Sequence, residues 1–286
     1  MKAAFLGTGL MGSPMSIRLV DGGHEVTVYN RTKDKTKEAW DAGAKVADVP
    51  EDAIKRSDVV ITMVTDGDAV KALLLKDESL AELDGKMVIQ MSTISPDESI
   101  EIAEKVRDAG ADYMESPVLG STPQAKHRKL ILMVGAEKDQ YEKYLGLLAS
   151  FGPDPVLVGP VGQGAAMKLA MNQLIASMMT AFATSFAFVK KQDMDTDKFM
   201  QILERSALYA GMYGGKADRV AEREFSEPNF PTKHLLKDVR LFLERSEGLG
   251  IDTRALESVR GLFEKTIEKG HEDDDYSSVF EAVLGE

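Results

Sequence analysis

The stretch from Lys2 to Thr32 constrains this chain more than any other. An apolar run, Ala3-Ala4-Phe5-Leu6, leads into Gly7-Thr8-Gly9-Leu10-Met11-Gly12. A segment with helical apolar spacing follows, through Met15, Ile17, Leu19 and Val20, and ends at Asp21-Gly22-Gly23. A second apolar run, Glu25-Val26-Thr27-Val28-Tyr29, delivers Asn30-Arg31-Thr32. The order reads as strand, glycine turn, helix, strand. Glycines in such a turn let the backbone approach a pyrophosphate, which rests on the unsatisfied N–H groups at the helix start. The glycine pattern alone is a weak signal. Set between a strand and a helix, with a second strand inside about thirty residues, it is the dinucleotide fingerprint. Gly7, Thr8, Gly9, Leu10, Met11 and Gly12 are therefore the expected phosphate cradle.

The end of the second strand refines the cofactor. Chains that take NAD usually place an acidic side chain there, about twenty residues after the glycines, to bind the ribose 2′-hydroxyl. This chain has Asn30-Arg31-Thr32 instead. A cation flanked by hydrogen-bond donors attracts a 2′-phosphate, which a carboxylate would repel. The expectation is NADP(H) in preference to NAD(H), with Asn30, Arg31 and Thr32 at the 2′-phosphate.

Strands and helices go on alternating. Helical segments are expected at Lys33 to Ala42, Asp52 to Arg56, Asp68 to Leu75, Asp97 to Ala109 and Tyr141 to Ser150. Strands are expected at Asp58 to Val64, Lys86 to Gln90, Ala111 to Glu115, Leu130 to Gly135 and Pro155 to Val158. Val64-Thr65 falls at a strand's carboxyl end, where open α/β sheets bind ligands. Ser92, Thr93 and Ser95 follow the next strand; Ser95 reads as a helix cap before Pro96 and Thr93 as the cofactor contact. The run from Ser116 to Pro123 reads as a loop, too rich in proline, glycine and hydroxyls to be an element. Such alternation means a doubly wound, mainly parallel sheet of the Rossmann kind. It spans residues 1–162, the NADP-binding domain.

After residue 162 the composition changes. From Gly164 to Lys191 runs an Ala- and Met-rich stretch that reads as one long helix, apolar nearly all round from Leu174 to Val189. Such helices are buried, in a domain core or in one completed by a second subunit. Asp197 to Ser206, Ala217 to Phe225, His234 to Gly248 and Thr253 to Lys269 also read as helices. Residues 163–286 thus form an all-helical substrate and dimerisation domain, joined to the first by the long helix. Lys168 and Asn172 share one face of that helix. A helical lysine is most often a solvated charge, but sites favour domain junctions. Lys237-Asp238, after Phe230-Pro231, reads as a surface ion pair.

Composition sets limits. The net charge of −12 argues against nucleic acid as a partner. With no cysteines, disulfides, thiolate metal sites and a cysteine nucleophile are excluded. The four histidines, His24, His127, His234 and His271, stand at no ligand spacing, so no metal is expected. No signal peptide is read at the N-terminus, and Leu174 to Val189 falls short of the roughly 18–20 residues of a membrane span. A cytoplasmic protein without a membrane partner is expected.

Taken together, these segments resemble the β-hydroxyacid dehydrogenase family, which includes 3-hydroxyisobutyrate dehydrogenase and glyoxylate/succinic semialdehyde reductases. GTGLMGSPMSIRLVDGGHEVTVYNRT is similar to its cofactor signature, MSTISP to its cofactor-contact turn, and ESPVLGS to its substrate loop. GQGAAMKLAMN resembles its catalytic-helix motif and FPTKHLLKDVRL its C-terminal motif; the tail Asp273 to Ser277 is also family-like. The resemblance implies that Lys168 is catalytic, that Asn172 binds substrate and that Lys237 lies near the nicotinamide. It implies a homodimer or homotetramer acting on a small anionic carbonyl compound or hydroxyacid of the 3-hydroxyisobutyrate, succinic semialdehyde or glyoxylate type. One departure stands out: Leu119 occupies the place of a common serine, leaving Gly120, Ser121 and Thr122 as the substrate-carboxylate donors. A glycine usual further along the loop is also absent within Lys126-His127-Arg128-Lys129. That basic cluster is either a solvated loop or an attractor of anionic substrate. Two other readings share the architecture. An NADPH-dependent imine reductase usually lacks the lysine, and a non-catalytic NADPH-binding module would be expected to lose Lys168, Asn172 or Lys237.

Overall fold

The computed structural model describes residues 1–285. Two compact units divide at Leu169 and Ala170. The first contains, in order, β1 (Lys2–Leu6), α1 (Gly12–Asp21), β2 (Glu25–Tyr29), α2 (Lys37–Asp41) behind a 3₁₀ turn, β3 (Lys45–Val46), α3 (Pro50–Lys55) and β4 (Val59–Thr62). Then come α4 (Gly67–Leu74), α5 (Asp77–Leu80), β5 (Met87–Gln90), α6 (Pro96–Asp108) and β6 (Asp112–Glu115). The unit continues with β7 (Val118–Leu119), α7 (Thr122–Lys126), β8 (Ile131–Gly135), α8 (Lys138–Leu148), β9 (Val156–Gly159) and the start of α9 (Gln163–Lys191).

The sheet runs β3-β2-β1-β4-β5-β6-β8, with β7 and β9 both paired to β8. β1 to β6 are mutually parallel; β8 turns antiparallel to β6, and β9 follows β8. Helices cover both faces. Phe5, Val28, Ile61, Ile89 and Leu132 pack into one core layer, while Leu6, Val60, Val88, Ile102 and Tyr113 pack into the other. Burial on both faces is why these strands read as continuous apolar runs rather than alternating ones. Ser95 caps α6 in a reciprocal box with Glu98, as its position before Pro96 predicts.

The reading of Ser116 to Pro123 as a plain loop is corrected. Val118–Leu119 pairs antiparallel with Ile131 and Leu132, and α7 starts at Thr122. Pro123 occupies the first turn of that helix, where its missing N–H costs nothing, so the residue that suggested a loop starts a helix.

The second unit is helical: the remainder of α9, α10 (Thr196–Glu204), α11 (Gly211–Glu222), α12 (Thr232–Glu247), α13 (Arg254–Glu268) and, beyond the helices expected, α14 (Val279–Leu284). Phe182 stacks on Tyr213 at 4.9 Å in a core shared with Phe186, Val220, Leu236, Phe263 and Phe280. α11 begins six residues ahead of Ala217 because Gly211, Gly214 and Gly215 are poor helix formers overridden by packing. A Cβ on Gly214 would lie 2.5 Å from the Tyr209 hydroxyl, so a side chain there would disturb Tyr209.

One expectation about α9 needs correction, and the domain-core alternative for its burial is narrowed. At 29 residues it is long and apolar enough to cross a membrane by length and composition, with half of its most apolar window buried within the protein. It is also not buried all round. An exposed stripe runs along Leu174, Ala181 and Phe188, with Leu174 at 47% and Phe188 at 64% exposure.

Candidate active site

Four neighbouring strands bring the cofactor candidates of the first unit together. β1 lies between β2 and β4, and β5 follows β4. Gly7 to Gly12, Asn30 to Thr32, Val64-Thr65 and Thr93 therefore all stand beyond the carboxyl ends of adjacent strands. From β1 the chain winds outward to β2 and β3, then returns to β4 on its other side, which is the switch point where open sheets form a crevice.

The glycine turn is shaped for a ligand with backbone-close contacts. Gly7 has φ of +105°, and a Cβ there would lie 2.2 Å from the Met63 carbonyl at the end of β4. A Cβ on Gly12 would lie 1.9 Å from the Gly7 carbonyl, so the first turn of α1 can sit on the loop only without a side chain. Gly9 faces open space. α1 has no side-chain cap and no acidic residue in its first turn, so the positive end of its dipole meets the glycine turn with no competing charge, although Ser13 already donates its N–H to the Gly9 carbonyl at 3.0 Å. The Thr8 hydroxyl is buried with no hydrogen-bond partner in the protein. These features fit a dinucleotide pyrophosphate.

Asn30 does more than the sequence suggested. Its carbonyl accepts the Thr8 N–H at 3.1 Å and its amide donates to the Thr32 carbonyl at 2.9 Å, so it braces the turn against the end of β2. Arg31 and Thr32 are exposed. Ser92 is buried and accepts the Val64 N–H at 2.8 Å, tying the end of β4 to that of β5. Thr93 beside it is half-buried and Thr65 exposed.

The substrate-loop candidates follow β7. Gly120 has φ of +127°, and a Cβ there would lie 2.8 Å from Leu130. Ser121 is more engaged than its sequence position suggests. Its N–H donates to Gln124 Oε1 at 3.0 Å and its hydroxyl donates to the same oxygen at 2.8 Å, in the capping box of α7. Thr122 is half-buried at the first position of α7. Arg128 takes φ of +55°, so an arginine holds a left-handed conformation within the basic cluster, the stretch that lacks the glycine the resemblance implies.

The catalytic-helix candidates are buried. Lys168, on α9 in the first unit, is 8% exposed. Asn172, one turn further along the same helix in the second unit, is fully buried. Its amide donates to Asp238 Oδ2 at 2.6 Å, and its own carbonyl oxygen has no protein partner. Lys237 pairs with the other Asp238 oxygen at 2.8 Å. Asp238 is thus no surface charge. It sits buried on α12 and holds an asparagine and a lysine at once, which corrects the surface ion-pair reading. Lys237 and Lys233 lower the neighbouring His234 below the usual imidazole range, after burial as the larger cause.

The C-terminal tail positions α12. The Asp274 carbonyl accepts both the N–H and the hydroxyl of Thr232, and Lys216 of α11 pairs with both oxygens of buried Asp275 at 2.7 Å. The sequence offers Ser92 as a possible ribose or nicotinamide contact and Asp238 as half of an ion pair, but not their bracing roles, and it gives no sign of this Lys216–Asp275 pair. The tail that carries Asp275 stands out in the sequence, but its partner lies 59 residues away. No cluster of three or more His, Asp or Glu side chains able to hold a metal occurs among the described residues.

Comparison with known proteins agrees with this anatomy. Residues 2–159 match the model of the NAD binding domain of 6-phosphogluconate dehydrogenase, and residues 162–283 that of the NAD-binding region of NADP-dependent 3-hydroxyisobutyrate dehydrogenase. The chain is 34% identical to glyoxylate/succinic semialdehyde reductase 2, chloroplastic, of Arabidopsis thaliana, over 99% of its own length and 79% of the relative's. Against glyoxylate/succinic semialdehyde reductase 1 of the same plant it is 33% identical, over 99% and 98%. Its fold superposes on Mycobacterium tuberculosis 3-hydroxyisobutyrate dehydrogenase with L-serine at a TM-score of 0.87, 24% identity and coverage of 99% and 98%. The chain belongs to the β-hydroxyacid dehydrogenase family, NAD(P)-binding oxidoreductases that act on CH–OH groups.

Proposed function

We propose that this chain is an NADP(H)-dependent dehydrogenase or reductase of a small β-hydroxyacid and its aldehyde or keto acid, of the 3-hydroxyisobutyrate, succinic semialdehyde or glyoxylate type. The observation that carries the reading is a lysine, Lys168, held at 8% exposure in the position the family resemblance assigns to catalysis. Lysine is almost never buried to that degree without a task or a partner. The names of the two plant relatives support the substrate class.

When bound, the nicotinamide supplies or accepts the hydride. The protein's part is proton management and orientation. In reduction Lys168 gives a proton to the oxygen of the carbonyl being reduced; in oxidation it takes the hydroxyl proton back. Acid–base work near neutral pH asks for a lysine below its ordinary pKa of about 10.4. Asn172 is assigned to the substrate oxygen, its orientation fixed by Asp238. Lys237 is assigned to the nicotinamide side. Gly120 and Thr122 offer backbone N–H groups to the substrate carboxylate, with Ser121 held by Gln124 as the frame of the loop. NADP over NAD is supported by Arg31, exposed beside a strand end that carries no acid. Lys168, which imine reductases usually lack, favours CH–OH chemistry over imine reduction. A second copy of the chain is assigned to the exposed stripe of α9 and to α10, where Ile202 is 69% exposed and no residue is buried.

The test is turnover of NADPH and NADH with glyoxylate, succinic semialdehyde and methylmalonate semialdehyde. Lys168→Ala is expected to abolish turnover while NADPH still binds; near-normal activity in that variant would sink the assignment. Arg31→Asp is expected to shift the NADPH to NADH ratio of kcat/KM toward NADH. An unchanged ratio refutes the phosphate reading. Tight NADPH binding without oxidation by any of the three carbonyl compounds favours a non-catalytic binding module.

A further inference from the structure

Glu115 closes β6 and is fully buried, and among the described residues no cation pairs with it. Its carboxylate accepts the Ser99 hydroxyl, the Gly162 N–H at 2.8 Å and the Ala165 N–H at 3.0 Å. The two backbone donors belong to the start of α9, which has no acidic residue of its own in the first turn. A carboxylate there satisfies orphan N–H groups and meets the positive end of the helix dipole. This cap reaches across 47 and 50 residues of sequence, so it joins the sheet directly to the helix.

The surrounding backbone is cut to let the carboxylate through. Gly135 stands opposite Glu115 across the β6–β8 pair, and a Cβ on it would lie 2.5 Å from Glu115 Oε1. A Cβ on Gly164 would lie 2.7 Å from the Met133 carbonyl and 3.0 Å from the same Glu115 oxygen. Burial pushes the carboxyl above the usual carboxylate range despite these donors. An alanine or leucine would satisfy a core position at less cost than a buried acid without a counter-ion, so packing alone does not account for it. Three residues beyond Ala165 on the same helix stands Lys168.

We propose that Glu115 is a positioning residue for Lys168: by holding the Gly162 and Ala165 N–H groups it fixes the rotation and axial height of the first turns of α9 against the sheet, and so sets where the lysine amine stands. The inference rests on the assignment of Lys168 as the acid–base group. Misplacement of a reacting group by about 1 Å costs on the order of 10²-fold in rate, which sets the size of the effect.

The test compares Glu115→Gln, Glu115→Ala and Lys168→Ala in the full chain. Each is measured for kcat per folded molecule, KM, the NADPH dissociation constant from nucleotide fluorescence, and the melting temperature. Glutamine keeps an acceptor for Gly162 and Ala165 and offers an N–H to Ser99. It is expected to hold kcat within about three-fold of wild type, whereas alanine loses on the order of 10²-fold in kcat. KM and NADPH affinity are expected to stay within about three-fold in both. A lower melting temperature in Glu115→Ala with kcat per folded molecule unchanged overturns the proposal, because that is what a purely structural cap would do. Equal loss of kcat in the glutamine and alanine variants overturns it too. Should Glu115→Ala not fold, Glu115→Asp withdraws the carboxylate by one methylene and is expected to lower kcat about ten-fold or more at constant KM; wild-type kcat in that variant overturns the proposal. Failure of the premise is separately visible, as activity surviving in Lys168→Ala.

Discussion

The two units bury acidic groups in opposite ways. In the first, Glu115 is held by a hydroxyl and by backbone N–H groups, with no cation. In the second, buried Asp275 and Asp238 each face a lysine: Lys216, which also lies 4.5 Å over the Tyr276 ring, and Lys237. A helix N-terminus spreads its positive charge over several fixed dipoles, so an amide can replace the carboxylate it holds. An ion pair concentrates charge, and removing one member strands the other in a poor solvent. The first device tolerates a neutral substitute; the second does not.

The sharpest way to break this comparison is Lys216→Met. It leaves Asp275 buried and unpaired, and about 3–5 kcal/mol of stability is expected to go, read as a lower midpoint in urea with the second unit melting first. The double variant Lys216→Met with Asp275→Leu is expected to recover part of that loss. If the single variant costs nothing, the contrast between the units is wrong.

Glu115→Gln probes the other side. Because burial raises the Glu115 carboxyl in the folded state, the fold binds its proton more tightly than the unfolded chain does. The protonated carboxyl's contribution is complete below its unfolded pKa of 4.5 and is lost as pH rises through the folded value. The melting temperature of the glutamine variant relative to wild type is therefore expected to improve as pH climbs from about 4.5 toward neutral. A constant difference across that window refutes the burial argument.

His234 carries the opposite sign. The fold lowers its pKa, first through burial and then through Lys237 and Lys233. Its stability contribution is present above the unfolded pKa of about 6.5 and is lost as pH falls below it. His234→Gln is expected to flatten the fall in melting temperature on acidification. The smallest effect is expected at the surface. Arg128→Gly relieves a left-handed backbone worth about 1 kcal/mol and gives up a hydrogen bond from the exposed Arg128 to the Ala149 carbonyl. A rise in melting temperature of about 2–4 °C at most is the outcome sought by calorimetry.

Much of the fold was legible because its signals are local. Strand, turn and helix in the first 32 residues follow one another directly, and Ser95 announces its helix through a neighbour three residues on. Where a reading failed, a distant partner had overruled a local preference. Ser116 to Pro123 reads locally as a loop because its strand exists only through pairing with Ile131 and Leu132 further along. The start of α11 is hidden in the sequence because glycines that weaken a helix locally are accepted in this packing. Lys168 and Asn172 stand out by resemblance and helical spacing, whereas Asp238, which holds Asn172 from 66 residues away, reads locally as half of a surface ion pair.

By itself the sequence determined the alternating sheet, the glycine cradle at Gly7 to Gly12 and the pairing of Lys168 with Asn172 on one helix, since each depends on residues a turn or a strand apart. Only the tertiary structure decided that Glu115 caps α9, that Asp238 is buried between Asn172 and Lys237, and that Ser121 is held by its own helix cap. The physical reason is desolvation. Whether a polar side chain is a solvated charge or a buried fixture depends on what the rest of the chain places around it, and the backbone N–H groups that hold Glu115 and the amide that holds Asp238 lie 47 to 66 residues from those carboxylates in sequence.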